Sequence, residues 1–233
     1  MNTTFFQLLE QKDLNYHFAQ YCAAGDLYYV DYLLTSPDLK IHADINHITQ
    51  DESNCLIKAC EAKSLEVVKF LTSSAKLSKQ IDIPGCLEEA LNTCCRTSSL
   101  DIIKYLLESK KVDIHANNDA AFLTACFKGS LDVVKYLVSE ANPPANLEAV
   151  DTHMKKHNAN GFFVACYHRR LPVVNYFLYD LSYPVTENIL KKIDKLITNQ
   201  TYKTELLGII EKRDFFMSLS NLTDKNNTKS LKL

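Results

Sequence analysis

At five places along this chain a cysteine stands five residues ahead of a leucine. The pairs are Cys22 and Leu27, Cys60 and Leu65, Cys95 and Leu100, Cys126 and Leu131, Cys166 and Leu171. Successive cysteines lie 38, 35, 31 and 40 residues apart. A self-similar unit of that length cannot bury its apolar face alone and must stack on its neighbours, so the spacing predicts a solenoid. Each leucine opens a second repeating segment. Leu65, Val67, Val68 and Leu71 recur as Leu100, Ile102, Ile103 and Leu106, as Leu131, Val133, Val134 and Leu137, and as Leu171, Val173, Val174 and Phe177. A looser copy runs from Leu27 to Leu33. On a helix these offsets make a wide apolar arc. Such an arc suits a helix packed on its partner and on both neighbouring repeats.

The start of this second helix is marked. Ser64, Ser99, Ser130 and Asp26 stand where an N-cap oxygen takes a free backbone N–H. Glu66, Asp101 and Asp132 follow at the positive end of the helix dipole. Lys69, Lys104 and Lys135 stand three residues further on, in pairs worth a few tenths of a kcal/mol each. In the fifth copy Arg170 replaces the cap, and Pro172 falls in the first turn, where proline is tolerated.

Composition narrows the function classes. A chain of 233 residues, 46% hydrophobic with 5 Gly and 6 Pro, builds a core without crosslinks. Its 8 cysteines are therefore read as reduced thiols rather than a disulfide framework. Lys and Arg number 26 against 28 Asp and Glu, a net charge of -2, which lacks the basic excess of a nucleic-acid binder. Apolar runs fall short of the ~18 residues of a membrane span. Residues 1–7 show neither the basic start nor the apolar stretch of a secretory signal.

The segments resemble the ankyrin repeat. That family's first helix carries Thr-Pro-Leu-His-x-Ala-Ala, then a Gly, then a Leu-Glu-Val-Val-like second helix. Here the second Ala has become Cys22, Cys60, Cys95, Cys126 and Cys166, and the Leu is matched by Phe18, Leu56, Leu91, Phe122 and Phe162. The Gly survives as Gly25 and Gly129 and becomes Lys63, Ser98 and Arg169. The Thr-Pro start is lost throughout; Tyr16-His17, Asn54-Cys55, Glu89-Ala90, Ala120-Ala121 and Asn160-Gly161 take its place. The family's finger motif is similar to residues 113–117 and, more loosely, to residues 40–44; His42, Asp44, His115 and Asn117 are its loop residues.

The resemblance implies an all-α solenoid of helix–turn–helix units. Residues 1–13 read as an N-terminal capping helix, 14–183 as about five repeats, 184–217 as a helical cap or degenerate sixth repeat, and 218–233 as a disordered polar tail. The 31-residue step predicts a finger at Asn117, Asn118 and Asp119 without a full β-hairpin tip. The aligned cysteines replace a small core residue and are expected to be buried and unbridged, with Cys86 the most exposed thiol.

No catalytic set is legible. There is no Cys-x-x-Cys for a zinc ribbon, no glycine-rich phosphate loop and no Gly-x-Ser-x-Gly elbow. His153 and His157 have the i, i+4 spacing of two metal ligands, but Met154 stands where a zinc-protease helix needs Glu. The expectation is no cofactor and no metal.

In the resembled family the two positions after the Ala-Ala pair face a concave groove where partners bind. Here they include Arg96, Phe127, Lys128, Tyr167 and His168, with Arg169 alongside. Aromatic residues and arginine are enriched at interface hot spots. The expected function is non-catalytic binding of a protein partner, in the cytoplasm or, for a bacterial effector, inside a host cell with the tail as its secretion signal. The alternatives are a structural subunit, a homo-oligomeric scaffold, or an enzyme without recognisable motif.

Overall fold

The computed structural model describes residues 3–50, 53–73, 83–110, 112–148 and 160–230, with the backbone alone at 3–4, 83–85 and 219–230. His153 and His157 lie outside the described residues. Two layers of helices run side by side. The first-helix layer consists of α2 (Gln11–Ala24), α4 (Cys55–Glu61), α6 (Ile83–Thr97), α8 (Ala116–Lys128) and α10 (Gly161–Tyr167). The second-helix layer consists of α3 (Leu27–Thr35), α5 (Leu65–Ser73), α7 (Leu100–Glu108), α9 (Leu131–Lys135) and α11 (Leu171–Asn175). The last two continue as π-helical turns over Tyr136–Glu140 and Tyr176–Asp180. Each first helix packs on the next first helix and on its own partner. No β-strand occurs among the described residues.

The apolar arcs face inward. Val67, Val68, Leu71, Ile102, Ile103, Leu106, Val133, Val134, Leu137, Val173, Val174 and Phe177 are all buried. So are the five aligned cysteines and the five residues at the family Leu position. All eight thiols are free, and only Cys86 is partly exposed.

The turn between the two helices explains the resembled family's glycine. Gly25, Lys63, Ser98, Gly129 and Arg169 take φ values of 71, 57, 59, 79 and 58°. The left-handed conformation is thus kept in every repeat, even where a side chain makes it costly.

The expected caps are only partly realised. Asp26 accepts from the Tyr29 N–H at 3.3 Å. Ser99 and Ser130 cap nothing. Ser99 instead shares a 2.8 Å hydrogen bond with Thr97, and Ser130 bonds the Ser98 hydroxyl of the preceding repeat. Ser64 reaches the Gly25 carbonyl, and Arg170 donates through Nε to the Phe127 carbonyl at 2.7 Å. At Ser64, Ser130 and Arg170 the cap position therefore ties one repeat to the next, while Ser99 stays within its own. The predicted Lys pairs also divide. Lys69 pairs with Glu66, whereas Lys104 and Lys135 lie over the rings of Tyr136 and Tyr176 at 5.2 and 5.5 Å. A cation over a half-desolvated ring is worth about 0.5–1 kcal/mol or more, against a few tenths for the intrahelical pair.

The ends differ from expectation in extent. The N-terminal helix α1 is only Thr3–Phe6, and the first repeat already begins at Gln11. Phe6 sets that limit: it is buried against the rings of His17, Tyr21, Tyr29 and Tyr32, while Leu8 beyond it is exposed. At the other end α12 (Glu187–Leu196) packs on α10, and α13 (Gln200–Ser230) packs on the Tyr176–Asp180 turn. Tyr202 donates to the Cys166 carbonyl at 2.8 Å and Arg213 to the Tyr183 carbonyl at 2.7 Å, which fastens α13 to the last repeat. Residues 218–230, expected as a disordered tail, continue α13 as helical backbone. They contain no Gly or Pro to stop it.

Candidate functional site

Phe127 and Tyr167 each follow a buried aligned cysteine, one residue further round the first helix. The step of about 100° turns them from the core to the surface. They are 36% and 41% exposed. They are not stacked on one another. His168 lies between them, its ring edge-on to Phe127 at 4.3 Å and to Tyr167 at 5.1 Å. Tyr167 also leans on buried Phe163 at 6.1 Å, which anchors its base.

Cations ring this cluster. Lys128 stands over the Phe127 ring at 5.4 Å, and Arg169 over the ring of Tyr202 at 5.3 Å. Arg170 is held by its bond to the Phe127 carbonyl. None of the three makes an ion pair among the described residues. Arg96 stands apart from the cluster: its guanidinium pairs with Glu61 at 2.9 Å. The expected set therefore resolves into five residues brought together and one engaged elsewhere.

The finger residues hold the connecting loops. His42 bonds the Ser36 carbonyl through Nε2 at 2.9 Å, and its own carbonyl accepts from Gln11 at 2.8 Å. The Asp44 N–H donates to buried Asn15 at 2.8 Å. Asn117 donates to Glu88 at 3.2 Å, and the Asn146 N–H donates to buried Asp119 at 2.8 Å. Thus Asn15, Glu88 and Asp119 receive the loops leading into the following repeats. His115 bonds Asp119 through Nδ1 at 3.0 Å. Asn117, Asn118 and Asp119 all take left-handed φ, which turns the chain sharply in place of a hairpin tip.

Sequence reasoning missed two caps. Asn54 accepts from the Ile57 N–H at 2.9 Å and Asn160 from the Phe163 N–H at 3.1 Å. Both stand where the resembled family has Thr, and an Asn there was the available signal.

The thiols are poor candidates for chemistry. A hydrogen bond to Cys55 and then burial push the Cys22 thiol far up, and Cys94 and burial do the same to Cys60. Burial alone raises Cys126 and Cys166. A thiol held protonated is neither a nucleophile nor a metal ligand. Cys86 accepts from Asn54 Nδ2 at 3.0 Å beside an apolar recess. Among the described residues no group of three or more His, Cys, Asp or Glu side chains converges to hold a metal. No helix among them is long and apolar enough to cross a membrane.

Comparison with known proteins agrees with this architecture. No curated protein sequence matches the chain. Among solved structures, the crystal structure of the human ASB11 ankyrin repeat domain is similar, with a TM-score of 0.60 at 17% identity over 83% of this chain and 82% of that one. At that identity the likeness speaks to the fold alone. The family model for ankyrin repeats in three copies matches residues 16–118, 74–149 and 91–188. Those overlapping matches cover most of the chain, from the first helix pair to the start of α12, and this protein belongs to the ankyrin repeat family.

Proposed function

We propose that this protein is a non-catalytic binding module that engages a protein partner through the Phe127, Tyr167 and His168 cluster. The observation that carries the reading is the pair of half-exposed aromatic rings held rigidly by one histidine between them. Two large rings on fixed helices lose little entropy on binding, which is the property of an interface anchor. Ankyrin repeats generally mediate protein–protein interaction, and the membership supports the same reading. The eight free thiols suit a reducing compartment.

The test is affinity capture with wild type and with Phe127→Ala/Tyr167→Ala. The variant is expected to lose the captured partner while its Tm changes by no more than a few degrees. A large loss of Tm with capture retained in the folded fraction would instead assign the two rings to the core.

The finer reading, a bacterial effector acting inside a host cell, rests on the Lys-, Asn- and Ile-rich divergence of the repeats from the family pattern. Removal of residues 224–233 abolishes translocation if those residues carry a secretion signal, and leaves it intact if they do not.

A further inference from the structure

We infer that the partner presents an acidic segment bearing an apolar or aromatic side chain to the Phe127–Tyr167 cluster; this rests on the function proposed above. The chain as a whole is slightly acidic, so a local excess of cations is not a by-product of composition. Three cations stand beside the two rings without an ion pair among the described residues, while Glu205 acts on the Tyr202 ring that Arg169 covers. Lys128 and Arg169 are exposed and Arg170 is half-buried, and none meets a carboxylate among the described residues. Elsewhere the same layer neutralises its cations, as Glu61 does for both Arg96 and Lys58.

Arg169 occupies the left-handed turn position that every repeat keeps, filled elsewhere by Gly25, Lys63, Ser98 and Gly129. Next to His168 in the chain, Arg169 is exposed, with its guanidinium over the ring of Tyr202. Half-exposed rings beside cations that make no ion pair among the described residues complement a carboxylate-bearing segment with one large apolar side chain.

A nucleic acid would bring the same negative charge, but fits less well. The cations form a compact patch about two rings, not a stripe long enough to follow successive phosphates.

Fluorescence anisotropy on the full chain tests the inference. The probes are a labelled Glu-rich peptide with one central Phe, its Lys-rich counterpart, the Glu-rich peptide with Gly for Phe, and a labelled single-stranded oligonucleotide of equal charge. The Glu-rich Phe peptide is expected to bind about tenfold or more tighter than the other three, and to weaken as salt is raised. Lys128→Glu/Arg169→Glu is expected to abolish that preference while Tm falls by no more than a few degrees through the two lost ring contacts; Arg170 is left intact because it pins the Phe127 carbonyl. Equal binding of the Lys-rich peptide, equal binding of the oligonucleotide, no binding of any peptide, or indifference to the charge reversal would each overturn the acidic assignment. None of these results decides the proposed function, because capture with Phe127→Ala/Tyr167→Ala uses no acidic probe.

Discussion

Gly161 shows how tightly neighbouring repeats are fitted. It opens α10, and a Cβ added there would come within 2.6 and 2.8 Å of two ring atoms of Phe122, with the Cys126 sulfur at 3.2 Å. Phe122 is fully buried and has no room to swing away. Gly161→Ala is therefore expected to destabilise by about 1–3 kcal/mol, the usual effect of overpacking. Gly208→Ala is its control, because nothing lies within 4 Å of that position. Equal unfolding midpoints for the two variants would refute this picture of the interface.

The buried thiols supply a second residue-scale prediction. Cys22, Cys60, Cys95, Cys126 and Cys166 are all raised above the ordinary thiol value of 9.0. In the unfolded chain they ionise near that value, while in the folded protein they stay protonated. Above pH 9 the unfolded state therefore binds fewer protons, and stability falls as pH rises. The stability is fully present below that pH. Each thiol contributes a slope of about 1.4 kcal/mol per pH unit above it. Tm is expected to drop steeply between about pH 9 and 11, and Cys126→Ala to flatten the slope by one thiol's share. A Tm independent of pH across that window would show that the thiols ionise equally well in both states.

At the scale of elements, the first helices start in two ways. Those of α4 and α10 are short and begin directly after an asparagine cap, whereas α2 and α6 run several residues further back and need none there; in α8 the left-handed Asn117, Asn118 and Asp119 precede the right-handed helix. Asn54→Ala is expected to cost about 1 kcal/mol, the usual loss for a cap. Asn160 also donates to the Tyr183 hydroxyl at 2.7 Å, and that hydroxyl in turn donates to Glu148. Asn160→Ala should therefore cost roughly 2 kcal/mol, because its second bond holds the Tyr183 hydroxyl and through it Glu148, whereas that of Asn54 goes to the weakly accepting Cys86 sulfur. Urea midpoints of the two variants measure the difference, and an equal loss would remove the Tyr183 network from the argument.

This contrast shows what could be read from the sequence. The repeats, the second helices and their apolar arcs follow from spacing, because a helix converts spacing into a face regardless of context. The exposure of Phe127 and Tyr167 follows in the same way from their place one residue after a buried cysteine. What a side chain bonds to across the repeat interface does not follow. Ser130 has the right residue type for a cap, but its hydroxyl finds the Ser98 hydroxyl of the preceding repeat. Cys22 meets Cys55, and Cys60 meets Cys94, only because adjacent first helices pack in a particular rotational phase. The displacement of Arg96 onto Glu61 has the same origin, since its partner is 35 residues away.

Over the whole molecule, the ring hydroxyls of Tyr105 and Tyr176 are satisfied by the preceding repeat, and the first repeat exposes the consequence. The ring five residues after the second-helix leucine is Tyr32, Phe70, Tyr105, Tyr136 and Tyr176 in turn. Tyr105 shares a 2.9 Å bond with Thr72, and Tyr176 one of the same length with Ser139, both hydroxyls belonging to the preceding repeat. Among the described residues only α1 precedes the repeat of Tyr32, and the buried Tyr32 hydroxyl has no hydrogen-bond partner among them. An orphaned buried hydroxyl costs about 1–3 kcal/mol, whereas a satisfied one contributes about 1 kcal/mol. The same substitution should therefore change sign along the solenoid. Tyr32→Phe is expected to stabilise the protein, and Tyr105→Phe and Tyr176→Phe to destabilise it by about 1 kcal/mol each. Because a solenoid's stability is a sum of repeat and nearest-neighbour terms, the three effects should add. Loss of stability in Tyr32→Phe would mean that the first repeat's hydroxyl has a partner after all, and that the ladder does not depend on having a repeat in front.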